Sequence, residues 1–471
     1  MEQMETKRLV KKWAPILEAQ EAPAISSEYK KGVIAQVLEN TEKALREERS
    51  HSQFMVEAPT NNTGSGTGDG AINNWDPIMI SLVRRAMPNL IAYDIAGVQP
   101  MTGPTGLVFA MKSRYKDDAD RLASTEAFYQ EAITDFSSNS IDSTDLSDGL
   151  VTGTGEGAHG GSPAGVTGGA NAADPFYNAS YGFGKGMTTM EGETLGNGRD
   201  NDFNEMSFTI ERATVTARTR ALKAEYTMEM AQDLKAIHGL DAEAELASIL
   251  STEILAEINR EMVRTINSRA KLGCQQADLA APGIFDLDVD ADGRWSVEKY
   301  KGMIVQLYRE ANVIARETRR GKGNFVLCSS DVAAALSATG MLDYAPAIAG
   351  NASLANKIDD TGNTFIGTLS TGMKVYVDPY ADVNYLTIGY RGSNPYDAGI
   401  FYCPYVPLTM VRAVGENTFQ PKIGFKTRYG MVANPYVGSP GSTPQNDIGA
   451  ARGNEYYRIF RIDNILGEGN S

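Results

Sequence analysis

The sequence predicts an α+β fold, because helical and strand-like patterns occupy different parts of the chain. Residues 241–272 contain no Gly or Pro, and their apolar side chains recur every three or four positions, which is the period of a helix with one buried face. Residues 324–436 are instead rich in short alternating runs separated by turns, as in strands. Residues 116–204 lack either period and are rich in Gly, Ser, Thr and Asn, which predicts an extended segment.

Charge and composition exclude several classes of protein. The formal net charge of the 471 residues is −15, so a general nucleic-acid binder is excluded, since phosphate neutralisation needs concentrated Lys and Arg. We find no apolar run that could span a bilayer and no apolar core of a signal peptide. The cysteines are far apart and form no CxxC motif, which predicts buried thiols in a reducing compartment, not a disulfide framework or zinc site. They are Cys274, Cys328 and Cys403.

The first part of the chain divides at a change of composition. Residues 1–57 are charged and helix-prone, with two amphipathic patches too narrow for an independent core. Residues 58–70 read as a flexible linker rich in Gly, Thr and Asn, so the first 57 residues are predicted to be detachable. Asp76, followed by a proline, predicts the start of a helix. A strand is predicted at 107–115.

The centre of the chain is a long predicted helix over 241–272. Asp241 is the predicted N-cap and Gly273 the predicted residue after the C-cap. The apolar residues of this helix recur every four positions from Leu246 to Ala270. Three further residues, Ile249, Leu255 and Val263, widen this apolar face. One strand over 206–221 and a helix near 227–237 precede it. A second amphipathic helix over about 297–319 follows it.

The β-rich remainder contains six predicted strands. They cover residues 325–328, 374–377, 385–390, 399–403, 422–428 and 456–462.

An acidic turn before the second amphipathic helix has two interpretations. Asp288, Asp290, Asp292 and Gly293 match the first half of an EF-hand calcium loop, but the twelfth position is Lys299 where a bidentate Glu belongs. The turn is therefore either an acidic cap for the next helix or a partial calcium site.

Other motifs give no support for catalysis. Residues 321–323 (Gly-Lys-Gly) follow a helix and precede a strand, the reverse of a phosphate-binding loop, and indicate a basic helix end with a glycine cap. His238 has no second ligand near it and reads as a capping or packed side chain. The sequence contains no serine-hydrolase or dinucleotide-binding motif. These absences predict no catalytic, cofactor-binding or metal-binding residues, and favour a subunit of an assembly.

Long stretches between residues 82 and 436 carry a resemblance to a known family. They are 82–94, 97–101, 221–226, 231–234, 253–261, 397–402, 419–421 and 424–430. In this order they resemble the major capsid proteins (major head proteins) of T-even-like tailed phages, especially the marine cyanophage branch. The resemblance is weak over 1–57, 116–204 and roughly the last 30 residues.

The resemblance implies the Hong Kong 97 (HK97)-type capsid fold and a division of the chain. The implied parts are an N-terminal propeptide-like segment removed on maturation (1–57), the N-terminal arm and first helix (58–97), the extended E-loop with an inserted variable segment at 116–204 (98–221), the P-domain with its spine helix 241–272 (222–323), the A-domain with strands returning to the P-domain (324–436), and a C-terminal loop and final strand (437–471).

The implied function is structural: the chain would self-assemble into hexameric capsomers of the icosahedral or prolate head shell that encloses the packaged genome, with no enzymatic activity. Implied partners are neighbouring capsomers, the vertex protein, a scaffold core, the prohead protease, the portal at one vertex, decoration proteins, and the host chaperonin with a phage co-chaperonin. We expect neither specific binding of nucleic acid nor association with a membrane. The implied location is the virion head, with the host cytoplasm during assembly.

The family also implies a cleavage site. Its protease cuts after Glu when a hydrophobic residue stands two positions earlier. Met55 and Glu57, followed by Ala58, fit this pattern at the composition break, although Leu or Ile is more usual than Met. Glu18 and Glu39 fit as additional cuts within the removed piece. Alternatively, Glu57 is merely the last charged residue before the linker.

Three rival functions remain open at this point. The paralogous pentameric vertex protein shares the fold, but 82–436 resembles the hexamer protein better. An acidic hydrolase with a glycine-rich substrate loop would need clustered acid and base residues, which the sequence does not supply. A surface or adhesion protein should carry a secretion signal.

Overall fold

The computed structural model describes most of the chain outside two long stretches. Described are residues 2–18, 27–52, 90–115, 203–276, 281–291, 295–344, 365–394, 396–415, 419–437 and 449–465, with the short pieces 127–128, 136–137, 189–193, 195–196, 279, 293 and 417. They belong to two compact units. The first unit is Met1–Ala110 with Arg212–Ser471, and the second unit is Met111–Glu211.

The described helices are numbered in chain order. They are α1 (Glu2–Leu17), α2 (Glu28–Ser52), α3 (Ala92–Ile95), α4 (Thr189–Glu193), α5 (Met228–His238), α6 (Ala242–Arg269), α7 (Ser296–Thr318) and α8 (Ser330–Ala338). No described helix has an apolar stretch sufficient to cross a bilayer.

The described strands are numbered in the same way. They are β1 (Gly97–Val98), β2 (Thr105–Tyr115), β3 (Met206–Thr216), β4 (Arg218–Glu225), β5 (Ala270–Leu272), β6 (Ile284–Asp286), β7 (Phe325–Ser329), β8 (Leu342–Tyr344), β9 (Phe365–Leu369), β10 (Lys374–Asp378), β11 (Tyr385–Gly389), β12 (Ile400–Val414), β13 (Pro421–Ala433) and β14 (Asn454–Asp463).

Two mixed sheets organise the first unit, which confirms the predicted α+β class. One sheet has the order β1-β12-β13-β4, with β1 parallel to β12 and antiparallel pairs elsewhere. The other has the order β5-β14-β11-β7-β10-β9-β8, and β6 also pairs with β14. Because strands distant in sequence are neighbours in both sheets, the fold depends on long-range pairing. Strands β2 and β3 form a separate two-stranded sheet.

Helix α6 confirms the predicted long helix and corrects its end. The Asp241 carboxylate accepts a hydrogen bond from the Glu243 N–H at 3.1 Å, so the predicted N-cap is correct. The helix stops at Arg269, because residues 270–272 turn into the strand β5, which pairs in parallel with β14. Gly273 is therefore not the residue after the C-cap. A Cβ there would come within 3.2 Å of Phe460 and Glu310, so glycine allows close packing at this position.

One face of α6 packs into the main core. Leu250, Ile254, Ile258, Met262 and Ile266 are buried in a cluster that also contains β12 and β13 side chains. Leu255 and Val263 are buried as predicted. Ile249 was predicted to widen the same stripe, but its side chain is 61% exposed. It lies away from the sheet because the 3.6-residue period carries it past the edge of the stripe.

The predicted strand 206–221 is two strands that serve different sheets. β3 pairs with β2, and after Ala217 the chain continues as β4 against β13. The Ala217 N–H donates to the Pro104 carbonyl at 2.9 Å. Gly430 permits the crossing, because a Cβ there would lie 2.5 Å from the Val215 side chain.

The strand predicted at 399–403 is much longer than expected. β12 continues to Val414 and pairs with β13 over most of that length, with register shifts between Pro404 and Val406 and between Val406 and Thr409. Prolines at 404 and 407 interrupt the sequence pattern of a strand, but bulges accommodate residues that cannot donate to the ladder. The strand predicted at 422–428 also extends further, to Ala433. The other four predicted strands, the helix near 227–237 and the helix over 297–319 are confirmed within about two residues. The helix predicted from Asp76 lies outside the described residues.

The N-terminal helices share the core of the first unit. Trp13 and Leu17 of α1 and Ile34, Val37 and Leu38 of α2 are buried in the same cluster as α6. Their two apolar patches could not form an independent core, as predicted. They are covered instead by docking onto the rest of the unit, which is how most short amphipathic helices become stable.

Candidate assembly surfaces

The predicted cleavage residues Glu57 and Ala58 lie outside the described residues. The additional candidate Glu39 lies in the middle of α2, where its carboxylate accepts hydrogen bonds from Lys12 at 2.7 Å and Trp13 at 3.3 Å. Val37 is fully buried before it. A protease needs an extended and accessible substrate. The peptide bond after Glu39 is therefore inaccessible to a protease while α2 is packed in the core of the first unit.

The carboxylates of the acidic turn accept hydrogen bonds and an ion pair from groups of the protein itself. The Asp286 carboxylate accepts from the Asp288 N–H at 2.9 Å, and Asp290 accepts from the Asp286 N–H at 3.0 Å. Lys299, at the twelfth position, forms an ion pair with Asp288. Glu298, not an aspartate of the run, accepts from the N–H of the residue that caps α7. Asp292 is outside the described residues, and among those described no cluster of three potential metal ligands occurs.

The Gly-Lys-Gly sequence at 321–323 marks a helix end, as predicted, but a glycine does not cap it. The left-handed residue after α7 is Arg319, with φ of 54°. A Cβ at Gly321 would lie 2.5 Å from Tyr390, and one at Gly323 would lie 2.6 Å from Ile388. Close packing against β11 and the residue after it therefore explains these glycines. His238 is exposed at the end of α5, which Gly239 caps, so it is not packed.

The three cysteines are free and buried, as predicted. Burial raises the pKa of each thiol to about 12. Because the thiolate is the reactive form, we expect negligible alkylation of Cys274, Cys328 and Cys403 by iodoacetamide at pH 8 in the native protein. All three should react in denaturant. Peptide mass spectrometry measures both states, and rapid labelling of the native chain would contradict the described packing.

A buried ion pair stabilises the second sheet. Glu310 of α7 is fully buried and accepts from Arg458 of β14 at 3.1 Å and from the Cys274 N–H at 2.9 Å. Removing one partner of a buried pair leaves the other charge uncompensated, which costs about 3–5 kcal/mol.

We therefore expect Arg458→Met to lower the free energy of unfolding by about 3 kcal/mol, as measured in urea. Arg461→Met is the matched control on the same strand, because its pair with Asp463 is exposed and should contribute less than about 1 kcal/mol. Equal midpoints for the two variants would refute this role for Glu310.

One face of the β2–β3 pair carries ion pairs and packed apolar side chains. In the second unit, Glu211 accepts from Lys112 at 2.9 Å and from Arg114 at 2.8 Å. Arg114 also donates to the Thr209 hydroxyl at 3.2 Å. In the first unit, Val108 packs with Val215. Within the second unit, the ion pairs bring Lys112, Arg114 and Glu211 to one face of the two strands, so alternate residues of both strands there point the other way.

The opposite face of the second unit's part of this sheet is apolar and exposed. Met111 of β2 is 60% exposed, and Met206, Phe208 and Ile210 of β3 are 51%, 67% and 65% exposed. We call these four residues the outer face. A two-stranded sheet is marginal without a packing partner, and contiguous exposed apolar side chains mark protein interfaces. The outer face is therefore a candidate assembly surface.

A second exposed apolar area lies on the first unit at α5 and the start of α6. α5 has no buried residues, and Met230 and Ile237, seven positions apart, lie on one face of it with exposures of 53% and 75%. Leu240 and Ile249 are also exposed. A helix without any buried side chain gains little from its own subunit, so this area is a second candidate for contact with another chain.

The sheet behind α6 is held rigid by a charged network. Arg220 of β4 donates to Glu257 at 2.8 Å and to Glu261 at 2.5 Å, both on α6. It also donates to the Tyr429 hydroxyl of β13 at 2.5 Å. One guanidinium therefore links the long helix to two strands, as its planar set of donors permits.

Exposed apolar side chains on the outer face and on α5, together with ion pairs that serve only to hold helices and sheets together, are the features of an assembly subunit. Comparison with known proteins decides the family. The family model of the major capsid protein Gp23 matches residues 72–462. The chain belongs to the Gp23 major capsid protein family. It is a structural subunit of the head shell of a tailed phage, and its relatives are not enzymes.

Family members from several phages are similar over nearly their whole length. The chain is 41% identical to the major capsid protein of Serratia phage KSP90 over 88% of this chain and 91% of that protein. It is 39% identical to that of Salmonella phage ViI, covering 98% and 99%, and 37% identical to that of Enterobacteria phage T4, covering 93% and 94%. The predicted family, the structural function and the location in the virion head are confirmed.

The rival assignment as a vertex protein fits less well. The capsid vertex protein of phage T4 is 28% identical over only 50% of this chain and 55% of that protein. A chain from the capsid of Myoviridae phage XM1 covers 79% of this chain and 92% of its own length, with 9% identity and a TM-score of 0.35. That structural likeness is too low to assign the parts of the fold.

Proposed function

We propose that this Gp23 family member builds the head shell as hexameric capsomers, with each subunit binding its neighbours through the outer face. The observation that supports this proposal is the exposure of three apolar side chains at alternate positions of β3. Met206, Phe208 and Ile210 are each more than half exposed. Burial of apolar area at about 25 cal/mol per Å² makes such a face a strong association surface. Contacts of modest strength repeated over a shell make its stability a property of the lattice.

The HK97-type division of the chain is part of this proposal. Helix α6 serves as the spine helix of the P-domain, and the sheet β12-β13-β4 that it packs against supplies the strands that return to it. Residues 98–221, which include β2 and β3, form the E-loop. The sheet containing β7 to β11 supplies the A-domain. Helix α7 packs in the cluster of that sheet, so it links the two domains.

Negative-stain electron microscopy of the purified full-length chain tests the assembly proposal. We expect sheets, tubes or shells made of six-fold rings. Rings of five subunits alone would favour the role of a vertex protein. A discrete 50.8-kDa monomer at every concentration and salt condition would contradict the proposal.

We also propose that the prohead protease removes residues 1–57. Water hydrolyses the peptide bond between Glu57 and Ala58, leaving a new carboxylate on Glu57 and a new amine on Ala58. The sequence pattern and the adjoining linker support this site. Helix α2 ends at Ser52, so the cut would fall after its last turn and not within it.

The packing of α2 predicts an order of cleavage. Glu57 should be cut first, and Glu39 only after α2 has left the first unit, because Val37 and Leu38 are buried. Mass spectrometry of the chain digested by the protease should show a fragment beginning at Ala58 before any fragment ending at Glu39. Mature virions should carry Ala58 as their N-terminus, and an intact Met1 there would refute the cleavage.

A further inference from the structure

Helix α7 carries a row of exposed basic side chains along one face. Lys301, Arg309 and Arg316 are exposed, and their spacing places them on the same side of a helix with 3.6 residues per turn. Beyond the end of the helix the row continues with Arg319 and Lys322, which are also exposed. These cations form no ion pair with another residue in the described part of the chain, so their charge is available to a partner.

Exposed apolar side chains lie among the basic ones. Val297 and Val305, four positions before and after Lys301, are 41% and 59% exposed. Trp295, which directly precedes α7, is 73% exposed. A nucleic-acid backbone would pair with the cations and leave these apolar side chains in water, so the surface fits a protein partner better. We call it the α7 strip, with the members Trp295, Val297, Lys301, Val305, Arg309, Arg316, Arg319 and Lys322.

The exposed area on α5 and the start of α6 has the opposite charge. Its acidic side chains Glu229, Asp233, Asp241 and Glu245 are all exposed, and Lys235 is an exposed cation among them. Within the described part of the chain, Glu229, Asp233 and Glu245 form no ion pair. We call this area the α5–α6 surface, with the members Glu229, Met230, Asp233, Ile237, Leu240, Asp241 and Glu245. Both areas thus combine uncovered apolar side chains with uncompensated charge, and the signs of their charges are opposite.

The two areas lie at different ends of α6. The α5–α6 surface surrounds the N-terminal end of that helix, whose 28 residues extend about 42 Å. Just after the other end, Lys271 lies 3.3 Å from Glu317 of α7. The buried face of α7 also belongs to a different core cluster from that of α6. Contact between the α7 strip and an α5–α6 surface therefore requires a second chain.

We propose that the α7 strip of one subunit binds the α5–α6 surface of the next subunit. The placement of this contact in a ring, though not the contact itself, rests on the hexameric assembly proposed above. A closed ring needs two different and complementary areas on each subunit, because every contact in it is heterologous. The strip and the surface meet this condition, and their charges disfavour pairing of either area with its own copy.

The first test reverses the charge of one area at a time in the full-length chain. Variant A carries Lys301→Glu and Arg309→Glu, and variant B carries Asp233→Lys and Glu245→Lys. In either variant alone, like charges would meet at every contact, so we expect the critical concentration for assembly to rise at least about tenfold. An equal mixture of A and B should assemble within about threefold of the wild-type value, because opposite charges meet again when the two variants alternate.

A matched control separates this contact from the effect of net charge. Variant C carries Lys374→Glu and Lys426→Glu, at exposed positions of β10 and β13 outside both areas. C has the same net charge as A and should assemble within about threefold of the wild-type value. A defect in A no larger than that in C, or a mixture of A and B that assembles no better than either alone, overturns the proposal. Loss of binding to a DNA duplex by A and not by C, without rescue by B, would instead assign the strip to packaged DNA.

The second test places one reporter thiol in each area and needs no complete shell. Chains with Val305→Cys and with Ile237→Cys are mixed and treated with a short bismaleimide cross-linker. The native thiols are buried, so they do not compete. We expect at least about tenfold more cross-linked dimer on a denaturing gel than when Val383→Cys replaces Val305→Cys in the mixture. Val383 is the matched position, because it is a valine of similar exposure (54%) on another surface.

Ring formation and cross-linking are scored separately. Six-fold rings without the cross-link between positions 305 and 237 overturn the proposed contact and leave the hexameric assembly standing. The cross-link in a chain that forms no six-fold rings supports the contact and contradicts the hexameric assembly. Cross-linking also decides the matter if variant A or variant B does not fold.

Discussion

Replacing Ile258 by aspartate is expected to unfold the subunit. Ile258 lies on the buried face of α6 at 4% exposure, among apolar side chains of the main core. The substitution deletes a buried aliphatic side chain, which costs about 2–5 kcal/mol. It also places a carboxylate in the core, which adds several kcal/mol or raises the carboxyl pKa. Together these effects approach the whole stability of an ordinary domain, about 5–15 kcal/mol.

The matched control lies on the same helix. Ile249→Asp makes the same substitution at a side chain that is 61% exposed, and exposed substitutions usually change stability by less than about 0.5 kcal/mol. Far-ultraviolet circular dichroism and soluble yield should show a folded Ile249→Asp chain and an unfolded or insoluble Ile258→Asp chain. A folded, assembly-competent Ile258→Asp chain would mean that the wrong face of α6 has been assigned to the core.

Replacing Phe208 by aspartate is expected to abolish assembly without unfolding the subunit. Phe208 is 67% exposed, so the free subunit should tolerate the change. In a shell, the variant would lose a buried aromatic contact and would desolvate a charge. Aromatic interface residues of this kind cost at least about 2 kcal/mol when truncated, and the charge adds to that cost. We expect the critical concentration for assembly to rise at least about 100-fold.

Thr214→Asp is the control for this prediction, because it places the same charge on β3 at an exposed polar position. It should assemble at a critical concentration within a few-fold of the wild-type value. Light scattering and pelleting at increasing protein concentration measure both variants. If Phe208→Asp pellets like wild type, the outer face is not an assembly surface.

The long helix was predictable because its period, its N-cap and its buried row are local properties of 241–269. Its end was not, because the pairing of β5 with β14 involves residues nearly 190 positions further along the chain. β12 was underestimated because Pro404 has the local signature of a strand end, whereas its partner strand tolerates a bulge there. Long-range pairing overrides local propensity in both cases.

The candidate surfaces were only partly visible in the sequence. Alternation at Met206, Phe208 and Ile210 predicts a strand with one apolar face, but it does not show which face the fold leaves uncovered. The N-terminal patches indicated helices without a core of their own, and the structure shows these helices packed in the main core of the first unit. The hydrogen bonds that the Asn40 side chain donates to the Met101 and Tyr405 carbonyls could not be predicted, because a lone asparagine on a helix gives no sign of partners 61 and 365 residues away.

Electron cryo-microscopy of shells formed by the full-length chain tests the central claim most directly, provided that side chains of the β2–β3 pair can be traced. We expect capsomers of six subunits in which Ile258 is enclosed within each subunit and Phe208 is covered by a neighbouring one. A shell in which Phe208 and the rest of the outer face are exposed to solvent, while other surfaces make the contacts between subunits, would contradict the account.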